Sequence, residues 1–191
     1  MGISLQKGQN IKLGLTKMSV GLGWDPRIGT GMAFDLDASA FMINKQSMIP
    51  SEGYFVFFNN FNSPDGALIH SGDDLTGGNS DDGDDEIIQV DLTKVSDDIE
   101  QILFVVTIHD SFDRRQNFGQ VRNSYIRIVD DSNGQEVAKY ELGEDFSIET
   151  AVEFGRLYKH NGGWKFEASG IGHKQDLAYF LGRHYKEDRT K

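Results

Sequence analysis

Apolar residues in this chain recur at every second position, in short runs that end in turn residues. Met18, Val20, Leu22 and Trp24 alternate with small or polar residues, as do Phe34, Leu36, Ala38 and Ala40. Tyr125, Arg127 and Val129 alternate with Ile126 and Ile128, and Trp164, Phe166 and Ala168 with Lys165 and Glu167. Side chains of a strand face opposite sides in turn, so this period predicts half-buried strands rather than helices. Ile3 and Leu5 precede Lys7-Gly8-Gln9-Asn10, and Ile11, Leu13 and Leu15 follow it, which predicts a hairpin. Asn133-Gly134 and Asn161-Gly162-Gly163 mark further turns. Proline at position 26 interrupts the ladder and opens a turn that ends near Gly31.

The run ILFVVTIH at 102–109 is the most apolar in the chain and reads as the central buried strand. YFVFFNNF at 54–61 reads as a second buried strand, with amide oxygens at its end. Val95 to Gln101 predicts a helical turn or two capped by Ser96. Leu177, Phe180, Leu181 and His184 recur at helical spacing, while Ile148 to Tyr158 fits either state. The fold expected is all-β, an antiparallel β-sandwich with a short helix and a C-terminal helix, in one domain over residues 1–191.

Between two of these strands lies GDDLTGGNSDDGDDE, residues 72–86, with seven carboxylates and no base. Two carboxylates about 5 Å apart repel by roughly 1 kcal/mol in water and roughly 3 kcal/mol at an effective dielectric of 20. A loop that gathers several therefore needs a counter-charge. Calcium takes six to eight oxygens in flexible geometry, and glycines let backbone carbonyls turn toward an ion. The plain alternative is a solvated acidic loop. Asp35 and Asp37 share one face of a strand about 7 Å apart, close enough to approach one ion or to form a polar solvent face.

The formal net charge of −11 argues against a broad electrostatic grip on nucleic acid or on anionic lipid and leaves cation-mediated contacts open. With no cysteine, disulfides, thiolate metal sites and cysteine nucleophiles are excluded. MGISLQKGQN has no apolar signal core, and no run approaches the roughly 18 apolar residues of a membrane span. The expected compartment is the cytoplasm. Zinc is disfavoured because the five histidines show no ligand spacing. Counting back from Glu86 as the twelfth position of a helix-loop-helix calcium site puts Leu75 first, where an oxygen ligand is required. No nucleophile-elbow motif is present, and strand alternation would put His109 and Asp110 on opposite faces.

VGLGWD at 20–25, FDLDASAF at 34–41, NN-x-x-SPDG at 59–66, the acidic run, FVVTIHD at 104–110 and QNFGQV at 116–121 occur in this order. In these motifs the chain closely resembles the TerD-type tellurium-resistance family. The resemblance implies a small calcium-binding β-sandwich of bacterial stress responses. It implies Asp25, Asp35, Asp37, Asn60, Asp73, Asp82, Asp84, Asp85 and Glu86 as ligands, each inside a matched motif. The ions would be calcium, two or more.

A non-enzymatic role is expected, as a calcium-dependent sensor or scaffold for protein partners of the stress system, acting at the inner face of the membrane without a transmembrane segment. Reducing tellurite would most simply use thiols, and this chain has none, so any resistance it confers is indirect. The alternatives are a metal-dependent hydrolase of a phosphorylated small molecule, because clustered carboxylates also hold catalytic metals, and calcium-bridged docking to a membrane.

Overall fold

The computed structural model describes residues 3–4, 6–12, 14–78 and 83–186. Among them are the strands β1 (Ile3–Ser4), β2 (Asn10–Lys12), β3 (Lys17–Gly23), β4 (Leu36–Asn44), β5 (Phe55–Val56), β6 (Leu68–His70), β7 (Glu86–Asp91), β8 (Ile99–Ile108), β9 (Tyr125–Asp130), β10 (Gln135–Glu141), β11 (Ala151–His160) and β12 (Gly163–His173). Three short helices interrupt them: α1 (Ser111–Arg114), α2 (Leu142–Asp145) and α3 (Leu177–His184).

The strands form two six-stranded sheets, ordered β1-β10-β9-β3-β7-β6 and β2-β12-β11-β8-β4-β5. Pairing is antiparallel except between β1 and β10. The inward-facing residues of both sheets make one core: Met18, Val20 and Leu22 of β3 and Ile88 and Val90 of β7 meet Leu36, Ala38 and Ala40 of β4 and Phe154 and Phe166 of β11 and β12. The period-two reading of these strands holds, and β8 lies between β4 and β11 as the apolar run at 102–109 predicts.

A second apolar cluster lies on the outside of the second sheet, where Phe41, Ile43, Leu103 and Val105 are covered by Phe180 of α3. This covering explains why β4 and β8 are apolar on both faces through their middle. Asp176 caps α3, its Oδ1 accepting the Tyr179 N–H at 3.1 Å. Asp176→Ala is expected to lower the urea unfolding free energy by about 1 kcal/mol, the usual cost of a lost N-cap.

Local readings fail where neighbouring strands claim the chain. Residues 3–12 are not a hairpin: β1 joins β10 in one sheet and β2 joins β12 in the other. The Gly8 N–H donates to Ala168 and the Ala168 N–H to Gln9, so the turn itself packs on β12. Leu5 and Leu13 of that reading lie outside the described residues. The segment 95–101 is a turn leading into β8, not a helix; the Ser96 N–H donates to Asp65 Oδ2 at 2.9 Å and caps no helix. The short helices fall at 111–114 and 142–145 instead. The 54–61 run is a strand only at Phe55–Val56, since Phe57 and Asn60 bridge to form a tight turn.

Candidate metal centre

Leu36, Ala38 and Ala40 face the core, so alternation sends Asp35 and Asp37 to the outer side of the second sheet. Both are nevertheless buried. They sit where β4 begins and β8 ends, and the His109 N–H donates to the Asp35 carbonyl at 2.8 Å across that corner. The loop after β8 brings Arg114 Nη1 to 3.3 Å from Asp35 Oδ2 and His109 Nδ1 to 3.8 Å from Asp37 Oδ2. The loop before β7 brings Asp73. One carboxylate oxygen from each of Asp35, Asp37 and Asp73 lies within 4.8 Å of the other two.

Burial pushes the Asp37 carboxyl up to about 9, with Glu86, Asp35 and Asp73 adding their repulsion. Burial also pushes Asp35 up, and His109 and Arg114 offset part of this. Asp35 Oδ1 is buried with no hydrogen-bond partner. A buried, partnerless carboxylate oxygen costs free energy of folding, so this oxygen and the two carboxylates beside it could hold a cation. The donors are all oxygen, which suits a hard cation of calcium's size.

Glu86 supports this corner from the other sheet. It opens β7 on the inward face, fully buried. Beyond β5, which pairs β4 only at Ala40 and Phe41, the edge of β4 is open. There the Ala38 N–H donates to Glu86 Oε2 at 2.8 Å, and His70 Nε2 meets the Ala38 carbonyl at 3.1 Å. Two side chains of the first sheet thus stand in for a missing strand of the second. Glu86 Oε1 also accepts the Asp74 N–H at 3.3 Å, and His70 Nδ1 accepts the Gly72 N–H at 3.1 Å, which places Asp73 between two anchored neighbours. Burial raises the Glu86 carboxyl despite the hydrogen bonds from His70 and Ala38.

Asp25, Asn60, Asp84 and Asp85, also implied by the resemblance, do not join this group of three and have partners of their own. Asp84 lies on the outer face of the first sheet. Its carboxylate receives Arg127 Nε and Nη2, each at 2.9 Å, and the Tyr125 hydroxyl at 2.9 Å. A Cβ on Gly21 would lie 2.3 Å from Asp84 Oδ2, so VGLG keeps glycine there to seat this carboxylate. Asp85 Oδ2 accepts the Trp24 N–H at 2.8 Å. Asp25 Oδ2 accepts from Asn123 at 2.8 Å. Asn60 gives its amide N–H groups, not its oxygen, to the carbonyls of Gly53 and Phe55. Asp82 lies outside the described residues.

The sequence pattern that defines the TerD domain matches residues 1–184. The chain belongs to the TerD family. It is 50% identical to a tellurium resistance protein TerD of an Alcaligenes species over 183 residues, 93% of this chain and 94% of that protein. It is 48% identical to the TerD of Serratia marcescens over the same shares, and 47% identical to general stress protein 16U of Bacillus subtilis. The solved structure of a homologue of telluride resistance protein (TerD) from Streptomyces coelicolor superposes with a TM-score of 0.75 at 24% identity, over 87% of this chain and 95% of that one, and so shares the sandwich.

Within this TerD sandwich, three contributors to the centre escaped the sequence reading. Arg114 and His109 neighbour the aspartates only because β8 turns at its end. Asp110 adopts φ 49° and breaks the alternation, so His109 Nε2 and Asp110 Oδ2 lie 3.4 Å apart rather than on opposite faces. His70 carries a legible signal: in ALIH it shares the inward face with Leu68, an odd place for an imidazole without a polar partner.

Proposed function

We propose that this TerD protein binds calcium at Asp35, Asp37 and Asp73 and acts without catalysis in the cytoplasm, as a calcium-dependent scaffold for protein partners of the tellurium-resistance stress response. The observation that carries this reading is the convergence of three carboxylates around the partnerless Asp35 Oδ1. Three carboxylates supply three to six of the six to eight oxygens calcium takes, which leaves positions for water or an incoming ligand. The triad accounts for one of the two or more ions the resemblance implies; no second group of three acidic or histidine side chains converges among the described residues.

Two of the three ligands belong to a rigid sheet corner and the third to the loop that opens the acidic run. Without the ion, burial and the neighbouring Glu86, Asp35 and Asp73 hold Asp37 in its protonated form. Calcium takes the place of that proton, ties the loop to the sheet through Asp73 and changes the surface offered to partners, a switch worked by local electrostatics.

Thermal unfolding of the chelator-treated protein tests this reading. Calcium at one hundred times the dissociation constant adds about 2.7 kcal/mol, which for a domain of this size raises the midpoint by roughly 5 to 10 °C. Magnesium is expected to give a smaller rise, because it demands a tighter octahedron and dehydrates reluctantly. No shift with calcium would overturn the reading, and turnover of a phosphoester by the calcium form would overturn its non-catalytic part.

A further inference from the structure

The end of the sandwich that carries the aspartate triad also carries an unusual set of exposed apolar side chains. Among the described residues, Ile28, Met32, Leu75, Phe112 and Ile148 are 57–76% exposed, and every other large apolar side chain is less than half exposed. Four belong to loops and Phe112 to α1, and these segments meet at this end. Arg27 and Gln116 donate to the Met32 carbonyl, which ties the loop of Ile28 and Met32 to the one that follows α1. Phe112 lies on α1 itself, two residues from the Arg114 that pairs with Asp35. Gly77 packs against Trp24 and Gly78 against Pro26, which seats Leu75 beside the first loop, and the Gly119 N–H donates to Ser147, next to Ile148. The exposed Arg27, Arg115 and Arg122 stand on the same loops.

We propose that this end docks on an anionic lipid bilayer, with calcium bridging the triad to lipid phosphate oxygens and the apolar tips entering the headgroup boundary. The proposal rests on the calcium reading above and adds to it the surface on which the scaffold stands. Three features favour a bilayer over a protein at this end. The tips are spread over three loops and α1, and a fluid surface accepts scattered insertions where a protein partner needs a matching pocket. The triad leaves coordination positions free, and phosphate oxygens are hard ligands suited to calcium. A chain of net charge −11 is repelled by anionic lipid, so attachment needs the cation at the acidic centre, while the rim arginines pair with phosphate.

Sedimentation with vesicles of phosphatidylglycerol and phosphatidylcholine tests the proposal, in calcium and in chelator, with phosphatidylcholine alone as control. Calcium binding is measured in parallel by calorimetry without lipid. The protein is expected to pellet with the anionic vesicles in calcium only. Ile28→Asp/Phe112→Asp is expected to bind calcium as the parent does and to lose vesicle affinity by about tenfold or more, because each tip withdraws an apolar side chain from the boundary. Calcium binding without pelleting would overturn the bilayer proposal and leave the calcium reading standing. Absence of calcium binding would overturn both. Pelleting that the double variant retains, or that chelator does not reverse, would assign attachment to another surface and overturn the proposal. So would a calcium-dependent protein partner that covers Ile28 and Phe112.

Discussion

Asp37→Asn is expected to abolish the thermal response to calcium and, at the same time, to raise the midpoint of the metal-free protein at pH 7. The two effects share one cause. Asp37 is buried among Glu86, Asp35 and Asp73, and its carboxyl is pushed up to about 9, so the metal-free fold is burdened with a group that would ionise if it were exposed. The amide keeps the size of the side chain and removes the charge. A gain of about 1 to 3 kcal/mol is expected in the metal-free state, or roughly 2 to 10 °C. Calcium at one hundred times the dissociation constant adds about 2.7 kcal/mol to the parent and nothing to the variant, which closes the gap between the two proteins or reverses it. A purely structural carboxylate would behave in the opposite way, since its removal would destabilise the fold with or without the ion. Stability given up at a binding site in this manner is the ordinary trade between function and fold.

The second large effect is a dependence on pH. In the unfolded chain Asp37 loses its proton near the ordinary carboxylate value of 3.8, whereas in the metal-free fold it holds the proton up to about 9. Between these limits the folded state binds more protons than the unfolded one, so stability falls as pH rises. The slope from this one group is at most about 1.4 kcal/mol per pH unit. Below the lower limit the contribution is complete, and above the upper one it is gone. Asp35 and Glu86 are also raised by burial and act in the same direction. Saturating calcium favours the ionised carboxylates and flattens the slope, so calcium uptake at pH 7 is expected to release protons. Urea unfolding of the metal-free protein from pH 5 to pH 8 checks the slope, and calcium titration in weakly buffered solution with a pH electrode checks the release.

Much of the architecture was legible because alternation fixes which side of a strand is buried. Phe34-Asp35-Leu36-Asp37-Ala38 is the clearest example: the pattern separates core from carboxylates, and the structure keeps that separation. It could not convey that the outward carboxylates would also be buried, because the covering groups, Arg114 and Asp73, come from loops far away in the chain. The acidic run was the converse case. Its composition advertised a metal, yet Asp84 beside Glu86 turns to the opposite sheet face and is claimed by Arg127. Alternation across Asp84-Asp85-Glu86 separates the faces but does not say which partner each side chain meets. Gly21, where a Cβ would collide with the Asp84 carboxylate, is the trace of that choice in the sequence. The N-terminal hairpin failed for a similar reason: Gly8 makes a turn, but strands of two different sheets receive its two arms.

The central claim, that the triad rather than the DDE end of the acidic run holds the ion, is tested most directly by calorimetric titration of calcium into three chelator-treated proteins: the parent, Asp37→Asn and Asp84→Asn. The account predicts binding in the parent, no binding in Asp37→Asn, and binding retained in Asp84→Asn, whose loss should fall on the Arg127 ion pair and hence on stability. Calcium binding that survives Asp37→Asn but disappears in Asp84→Asn would contradict it.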